Sequence, residues 1–271
     1  MNDKFKLRFR GFICDAPARA LIKGTKGHTG FHACERCEIE GVREYNRVVF
    51  KWQNQPFRHR SDTKFKRFEY RKKHQVSVSP LVRHGINVSY IDDFPLEYMH
   101  LGCLGVTKKW LSCIIYGNRM VASLSRDKKN IVSYRLENIN VPKEFARRPR
   151  GLHDFVRFKA TEFRQIMLYT GPVVFRDILP QEQYDHFIKL TVGMSILLDE
   201  DATFREEKID IAQENLLRYV KDAEQIFGPT FMSYNIHSLM HIAAGVTHFG
   251  VSLNDLSAFP FENLIFKLKK W

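Results

Sequence analysis

Phe5-Lys6-Leu7-Arg8-Phe9-Arg10-Gly11-Phe12-Ile13-Cys14-Asp15-Ala16-Pro17-Ala18-Arg19-Ala20-Leu21-Ile22 changes character at its middle. Up to Arg10, apolar and basic residues alternate with the period of two that a strand imposes. From Phe12 to Cys14 both faces turn apolar, as on entering a core. Asp15 stands where it can cap a helix, and Pro17 suits that helix's first turn. A strand running directly into a helix predicts an α/β fold. Gly24, Gly27 and Gly30 then break regular structure, and short strand-like pieces are expected at 48–52 and 75–78.

Beyond residue 95 the periodicity becomes helical. Leu96, Met99, Leu104, Val106, Trp110, Leu111 and Ile114 predict a helix ending before Gly117, and 119–158 reads as a polar, basic connection. Thr161 is placed to cap a helix that Gly171-Pro172 should end, and Pro180 to open one that stops at Asp199-Glu200-Asp201. Ile209, Ala212, Leu216, Tyr219, Ala223 and Ile226 recur at spacings of three and four, which makes a long amphipathic helix. Two shorter helices are expected at 234–244 and 260–270. With 271 residues, 44% of them hydrophobic, the chain can bury a substantial core, which excludes wholesale disorder. No apolar stretch approaches eighteen residues, so no membrane partner is expected. No apolar region follows the first charges as in a secretory leader, and five cysteines, an odd number, suit a reducing compartment.

The formal net charge is +13, and its distribution is uneven. Residues 1–90 hold 20 basic and 8 acidic side chains, whereas 161–271 hold 10 and 15. The densest run lies within 43–83, where twelve bases face three acids. Arg58, Arg60, Lys64, Lys66, Arg67, Arg71, Lys72 and Lys73 are its candidate phosphate contacts. Phe57, Phe65, Phe68 and Tyr70 are interleaved with them, a mixture that suits phosphate contact plus base stacking. A solvated loop kept soluble by its charges is the plainer alternative.

Cys34-Glu35-Arg36-Cys37 places two thiolates three residues apart, which can bind one metal without strain but supply only half of a tetrahedral site. His28, His32, His100, His237 and His241 are available to complete it. An unmetallated pair of thiols or a redox motif are the other readings, the last weakened by Gly-rich sequence leading in and polar sequence leading out. Asn235-Ile236-His237-Ser238-Leu239-Met240-His241 sets two imidazoles at i and i+4 on one helix face, a metal-capable spacing, although two buried structural histidines would look the same. Asp15 and Glu262 each have an ordinary role available, as helix cap and as first-turn acid.

Taken in order, these segments resemble the catalytic domain of cut-and-paste DNA transposases of the CACTA-like group. The resemblance is carried by Gly11–Arg19, by Lys26-Gly-His-Thr-Gly-Phe-His-Ala-Cys34-Glu-Arg-Cys37 and by Pro95-Leu-Glu97-Tyr-Met-His100-Leu-Gly-Cys-Leu-Gly. Lys159-Ala-Thr-Glu-Phe-Arg, Tyr234-Asn-Ile-His-Ser-Leu-Met-His and Ser257-Ala-Phe-Pro-Phe-Glu262-Asn continue it. It implies a ribonuclease-H-like mixed sheet in 1–116, a mainly helical insertion in 117–256, and a closing helix in 257–271 that carries Glu262. It further implies two-metal phosphoryl transfer with Mg²⁺ or Mn²⁺ held by carboxylates, Asp15 and Glu262 among them, a structural zinc, DNA as partner and a nuclear location. Glu97 stands where the group carries an aspartate. The group's first aspartate should lie several strands before Asp15, so the chain is expected to be an amino-terminally incomplete or degenerate copy, inactive alone. Its rival is a non-enzymatic, zinc-stabilised nucleic-acid-binding protein. Self-association is compatible with either.

Overall fold

Asp15 caps a helix, as its position predicts. Its Oδ1 accepts a hydrogen bond from the Ala18 amide at 2.8 Å, and α1 (Ala16–Lys23) runs from there to Gly24. Gly24 has φ +67, and a Cβ on it would lie 2.5 Å from the Ser77 carbonyl oxygen, so only glycine turns the chain here. The computed structural model describes residues 10–145, 147–201 and 206–269. Of the strand expected at the start, residues 5–9 lie outside the described residues. Residues 10–14 are not in a strand, although the Phe12 amide donates to the Asp93 carbonyl at 2.8 Å.

The fold is mixed α/β but mostly helical, with a two-stranded antiparallel sheet of β1 (Val42–Glu44) and β2 (Arg47–Val49). Tyr45 and Asn46 connect them at φ 45 and 62, the paired positive values of a tight hairpin turn whose twist matches its strands. The strand expected at 48–52 is therefore shorter and begins one residue earlier. Residues 75–78 form no strand; Gln75 makes isolated bridges only, and the Val76 and Ser77 amides donate to the Gly24 carbonyl. The larger mixed sheet implied by the resemblance is not present among the described residues. Two short helices, α2 (Asp62–Lys66) and α3 (Pro80–Arg83), punctuate the basic segment.

The helix expected after Leu96 begins as a wide π-helical stretch, Met99–Thr107, and continues as α4 (Lys108–Tyr116) up to Gly117. A helix unforeseen from the sequence, α5 (Arg126–Asn138), follows Ser125, whose hydroxyl accepts from the Lys128 amide. Only Val132 and Leu136 of α5 are buried, so its apolar stripe is too thin to read. Lys159, not Thr161, precedes α6 (Ala160–Gln165); its amide is held by Glu162, which Arg150 clasps with two bonds of 2.7 and 3.0 Å. Gly171-Pro172 does not end the helical run. A π turn at Ile166–Thr170 widens the spiral just where proline removes a donor, and α7 (Gly171–Val174) carries on.

The largest helices, α8 (Gln181–Leu198) and α9 (Glu206–Phe227), pack closely because Gly193 lets the backbones approach; a Cβ there would meet Leu216 at 2.7 Å. Trp110 of α4 is fully buried against them, stacked on Phe187 with centroids 4.2 Å apart. After a turn at Pro229–Phe231 come α10 (Tyr234–Ser238), a tight turn at Leu239–His241, α11 (Ala243–Phe249) and α12 (Phe259–Leu268). The main core runs continuously from Val49 and Leu96 to Leu256, drawing on both sides of the division expected at 116/117. No helix among the described residues is long and apolar enough to cross a membrane.

His186 of α8 is buried against Tyr219, with Nε2 donating to the Tyr219 carbonyl at 2.8 Å. Burial lowers its pKa to about 4. The unfolded chain protonates this residue near 6.5, so between about pH 6.5 and 4 the folded state binds fewer protons and loses stability as the pH falls, by up to about 3 kcal/mol from this group. Urea midpoints at pH 7 and pH 5 are therefore expected to differ less in His186→Gln than in the parent. Equal differences would assign the acid sensitivity elsewhere.

Candidate metal centre and carboxylate cluster

Cys34 and Cys37 sit on a buried turn whose amides point at a sulfur: the Arg36 and Cys37 N–H groups donate to Cys34 Sγ at 3.4 and 3.3 Å. The two sulfurs are 3.5 Å apart, and His237 Nε2 lies 3.3 Å from Cys37 Sγ. The i, i+4 spacing on α10 and its continuation turns His241 to the same side, with the two imidazole centroids 5.2 Å apart. Donor atoms of Cys34, Cys37, His237 and His241 all lie within 4.8 Å of one another, and all four residues are buried. A tetrahedral zinc with bonds of about 2.3 Å to sulfur and 2.0–2.1 Å to nitrogen has ligand–ligand edges of roughly 3.3–3.8 Å. The observed separations suit such an ion. Nε2 of His241, buried and without a hydrogen-bond partner, marks where it would bind.

Charge favours the ligand forms. Burial alone would push the Cys34 thiol up, but the hydrogen bond from Cys37 and the imidazoles of His237 and His241 hold it well below the ordinary thiol range. Its bond to Cys34, together with burial, pushes Cys37 up, so Cys34 is the first of the pair to ionise. Burial lowers His241 and keeps its imidazole neutral.

The residues between the cysteines anchor this turn. Glu35 is buried and accepts from Arg19 Nε at 2.9 Å, Lys23 Nζ at 2.9 Å and the Tyr234 hydroxyl at 2.8 Å. It thereby joins α1, the cysteine turn and α10. Although burial opposes its ionisation, Arg19 and Lys23 hold Glu35 well below the usual carboxylate range, while burial lowers Lys23 to about 8. Arg36 donates to the Phe94 carbonyl at 2.6 Å. Phe50 and Phe57 flank the His237 ring.

His100 does not join this centre. Its Nδ1 is hydrogen-bonded to Oε1 of Glu97, and its Nε2 faces Glu262 at 4.0 Å. His28 and His32 also stay apart: His28 is exposed beside Tyr234, and His32 faces Glu40. Glu97 is 1% exposed and accepts from the Met99, His100 and Ala258 amides, tying the π-helical stretch to the start of α12. The hydrogen bond that His100 donates to Glu97 outweighs burial and raises His100, with the charges of Glu97, Asp15 and Glu262 adding to it. Glu262, from the far end of the described chain, is thus the acid that lies beside His100 Nε2, and Asp15 acts on the ring through its charge.

The basic segment divides. Arg60 is buried, with Nε donating to the Cys34 carbonyl at 2.9 Å and its guanidinium over the Tyr70 ring, so it braces the cysteine turn and is unavailable to a phosphate. Arg58, Lys66, Arg67, Arg71, Lys72 and Lys73 are exposed and Lys64 is half-buried. Arg58, Lys66 and Arg67 lie beside Glu38, Asp62 and Glu69. Phe65 and Tyr70 are buried in a cluster with Tyr90 and Phe94, and Phe57 packs on Trp52. Phe65 and Tyr70 thereby build a core and offer no platform for stacked bases.

No family model, curated protein or solved structure matches this chain.

Glu35→Gln would leave Arg19 and Lys23 buried without their counter-charge. The expected loss is about 3–5 kcal/mol of unfolding free energy, read by urea denaturation. A loss below about 1 kcal/mol would mean that the carboxylate does not hold these elements together.

Proposed function

We propose that this chain is a zinc-stabilised nucleic-acid domain of the cut-and-paste transposase type, contributing Asp15 and Glu262 to a centre for divalent-cation-dependent phosphoryl transfer. The observation carrying this reading is that Glu262 lies 4.0 Å from His100 Nε2 while the charge of Asp15, remote in sequence, acts on the same imidazole. Zinc is the metal that two thiolates and two imidazoles select in tetrahedral array. Its role is to tie the cysteine turn to α10. A nuclear location follows from DNA as ligand.

The fit to Mg²⁺ or Mn²⁺ is partial. Hard cations need several carboxylate or carbonyl oxygens, and a two-metal centre needs a bridging carboxylate. Glu97 is consumed by three backbone amides and His100, and one oxygen of Asp15 serves as the α1 cap. Asp15 and Glu262 remain. They would hold such a cation weakly, and the chain alone neither cleaves nor joins DNA.

A second reading, a non-enzymatic binder, is favoured by the Glu97–His100 pair. It places an imidazole whose proton affinity is raised against the acids that a catalytic cation would occupy.

The purified chain is expected to contain about one zinc, lost in Cys34→Ser; a metal-free parent would end the zinc assignment. It should bind DNA with affinity falling steeply as salt rises, whereas a protein-docking scaffold would bind its partner with little salt dependence. Mn²⁺ titration followed by electron paramagnetic resonance should detect weak binding that Asp15→Asn and Glu262→Gln each reduce, with no plasmid nicking. If neither substitution alters Mn²⁺ binding, the two carboxylates do not form a shared centre.

A further inference from the structure

A cleft of about 670 Å³ opens where the β1–β2 hairpin, the start and end of α4, and the turn Pro229–Phe231 meet. Arg47, Lys108, Lys109 and Arg119 line it, and among the described residues no carboxylate does. None of these four cations makes an ion pair with a described acid. The hairpin's own acid, Glu44, is held by Lys51 at 2.6 Å.

The cations come from three separate segments, so no charge run in the sequence announces the site. Four positive groups facing one concavity repel each other, and the cost is relieved by an anion. Lys109 shows the effect of enclosure: burial lowers it, with Arg47 adding to the shift. Its Nζ donates to the Thr230 carbonyl at 3.1 Å, which fixes it at the cleft wall. At the end of α4 the Cys113 and Ile114 carbonyls are taken by the Gly117 and Leu124 amides.

Tyr45 completes the lining. The hairpin turn holds it at positive φ, 57% exposed, with the Arg119 guanidinium 3.8 Å from its ring centroid. A volume of this size accepts one or two nucleotides. An exposed ring beside several cations is the arrangement by which proteins hold single strands.

We propose that this cleft binds single-stranded nucleic acid, with phosphates on Arg47, Lys108, Lys109 and Arg119 and a base against Tyr45. The site is separate from the 58–73 segment and from the Asp15–Glu262 cluster. It deepens the nucleic-acid reading above by assigning the contact surface, and rests on that reading only in the nature of the ligand.

The test is fluorescence anisotropy of the full chain, with zinc retained, on a short labelled oligothymidylate across a salt series. Lys108→Glu with Arg119→Glu is compared with Lys66→Glu with Arg67→Glu; all four side chains are exposed, and thermal melts confirm folding. The cleft pair should weaken binding at least about tenfold and lower the log–log salt slope by roughly 1.4, the value for two lost phosphate contacts on a single strand. The control pair should move either quantity by less. An oligonucleotide carrying 5-bromouracil should photo-crosslink to the peptide containing Tyr45. Parent binding unchanged by the cleft pair, or a crosslink confined to 58–73, overturns the cleft and leaves the nucleic-acid reading standing. No binding by the parent at low salt overturns both.

Discussion

Four donor atoms within one ion's reach bring together the cysteine turn and α10, which the buried Glu35 network also joins. Cys37 and His237 are 200 residues apart, and the apolar cluster at the cysteine turn has six buried members, Cys34 and Cys37 among them. A cluster that small contributes a few kcal/mol of burial, much of which is offset by ordering the turn. A bound structural zinc contributes on the order of 10 kcal/mol or more. The cost of bringing the ends together grows only with the logarithm of the intervening length, so a metal clip is effective across so long a loop.

Charge gathers at the same turn. Arg19, Lys23, Arg36 and Arg60 are all buried near the cysteine turn, and Glu35 is the buried carboxylate among them. Such an excess of cations favours further negative charge nearby, and Asp92 beside Arg36 supplies part of it. The closure also sets the hairpin, because the Phe50 amide donates to the Met232 carbonyl at 2.7 Å, two residues before α10 begins. That bond holds Arg47 and Tyr45 beside the turn that carries Thr230 and Phe231. The metal centre and the basic cleft are thereby parts of one structural unit.

Much of the helical half was legible because burial there follows the helical period: Ile209, Ala212, Leu216, Tyr219 and Ala223 are all buried on α9. Both cysteines and both histidines of the centre were legible as half-sites, since Cys-x-x-Cys and i, i+4 spacings are local. Their pairing was not, because five histidines could have completed the set and only folding decides between them. The role of Arg60 was hidden for a related reason. A guanidinium in a basic run reads as solvated until the backbone carbonyl it serves is known. Phe65 and Tyr70, spaced among lysines and arginines, are buried because this segment folds over its own small core with Tyr90 and Phe94.

Glu97 explains why the acid cluster differs from an open cation site. Its carboxylate folds back onto the Met99 and His100 amides while also accepting from that of Ala258. A carboxylate so thoroughly hydrogen-bonded has little capacity left for a metal. Its remaining bond orients His100, and Nε2 of that ring faces Glu262 and the field of Asp15. The same acids raise the proton affinity of the imidazole, which brings positive charge among them. A cation entering there would have to displace that proton or share its field.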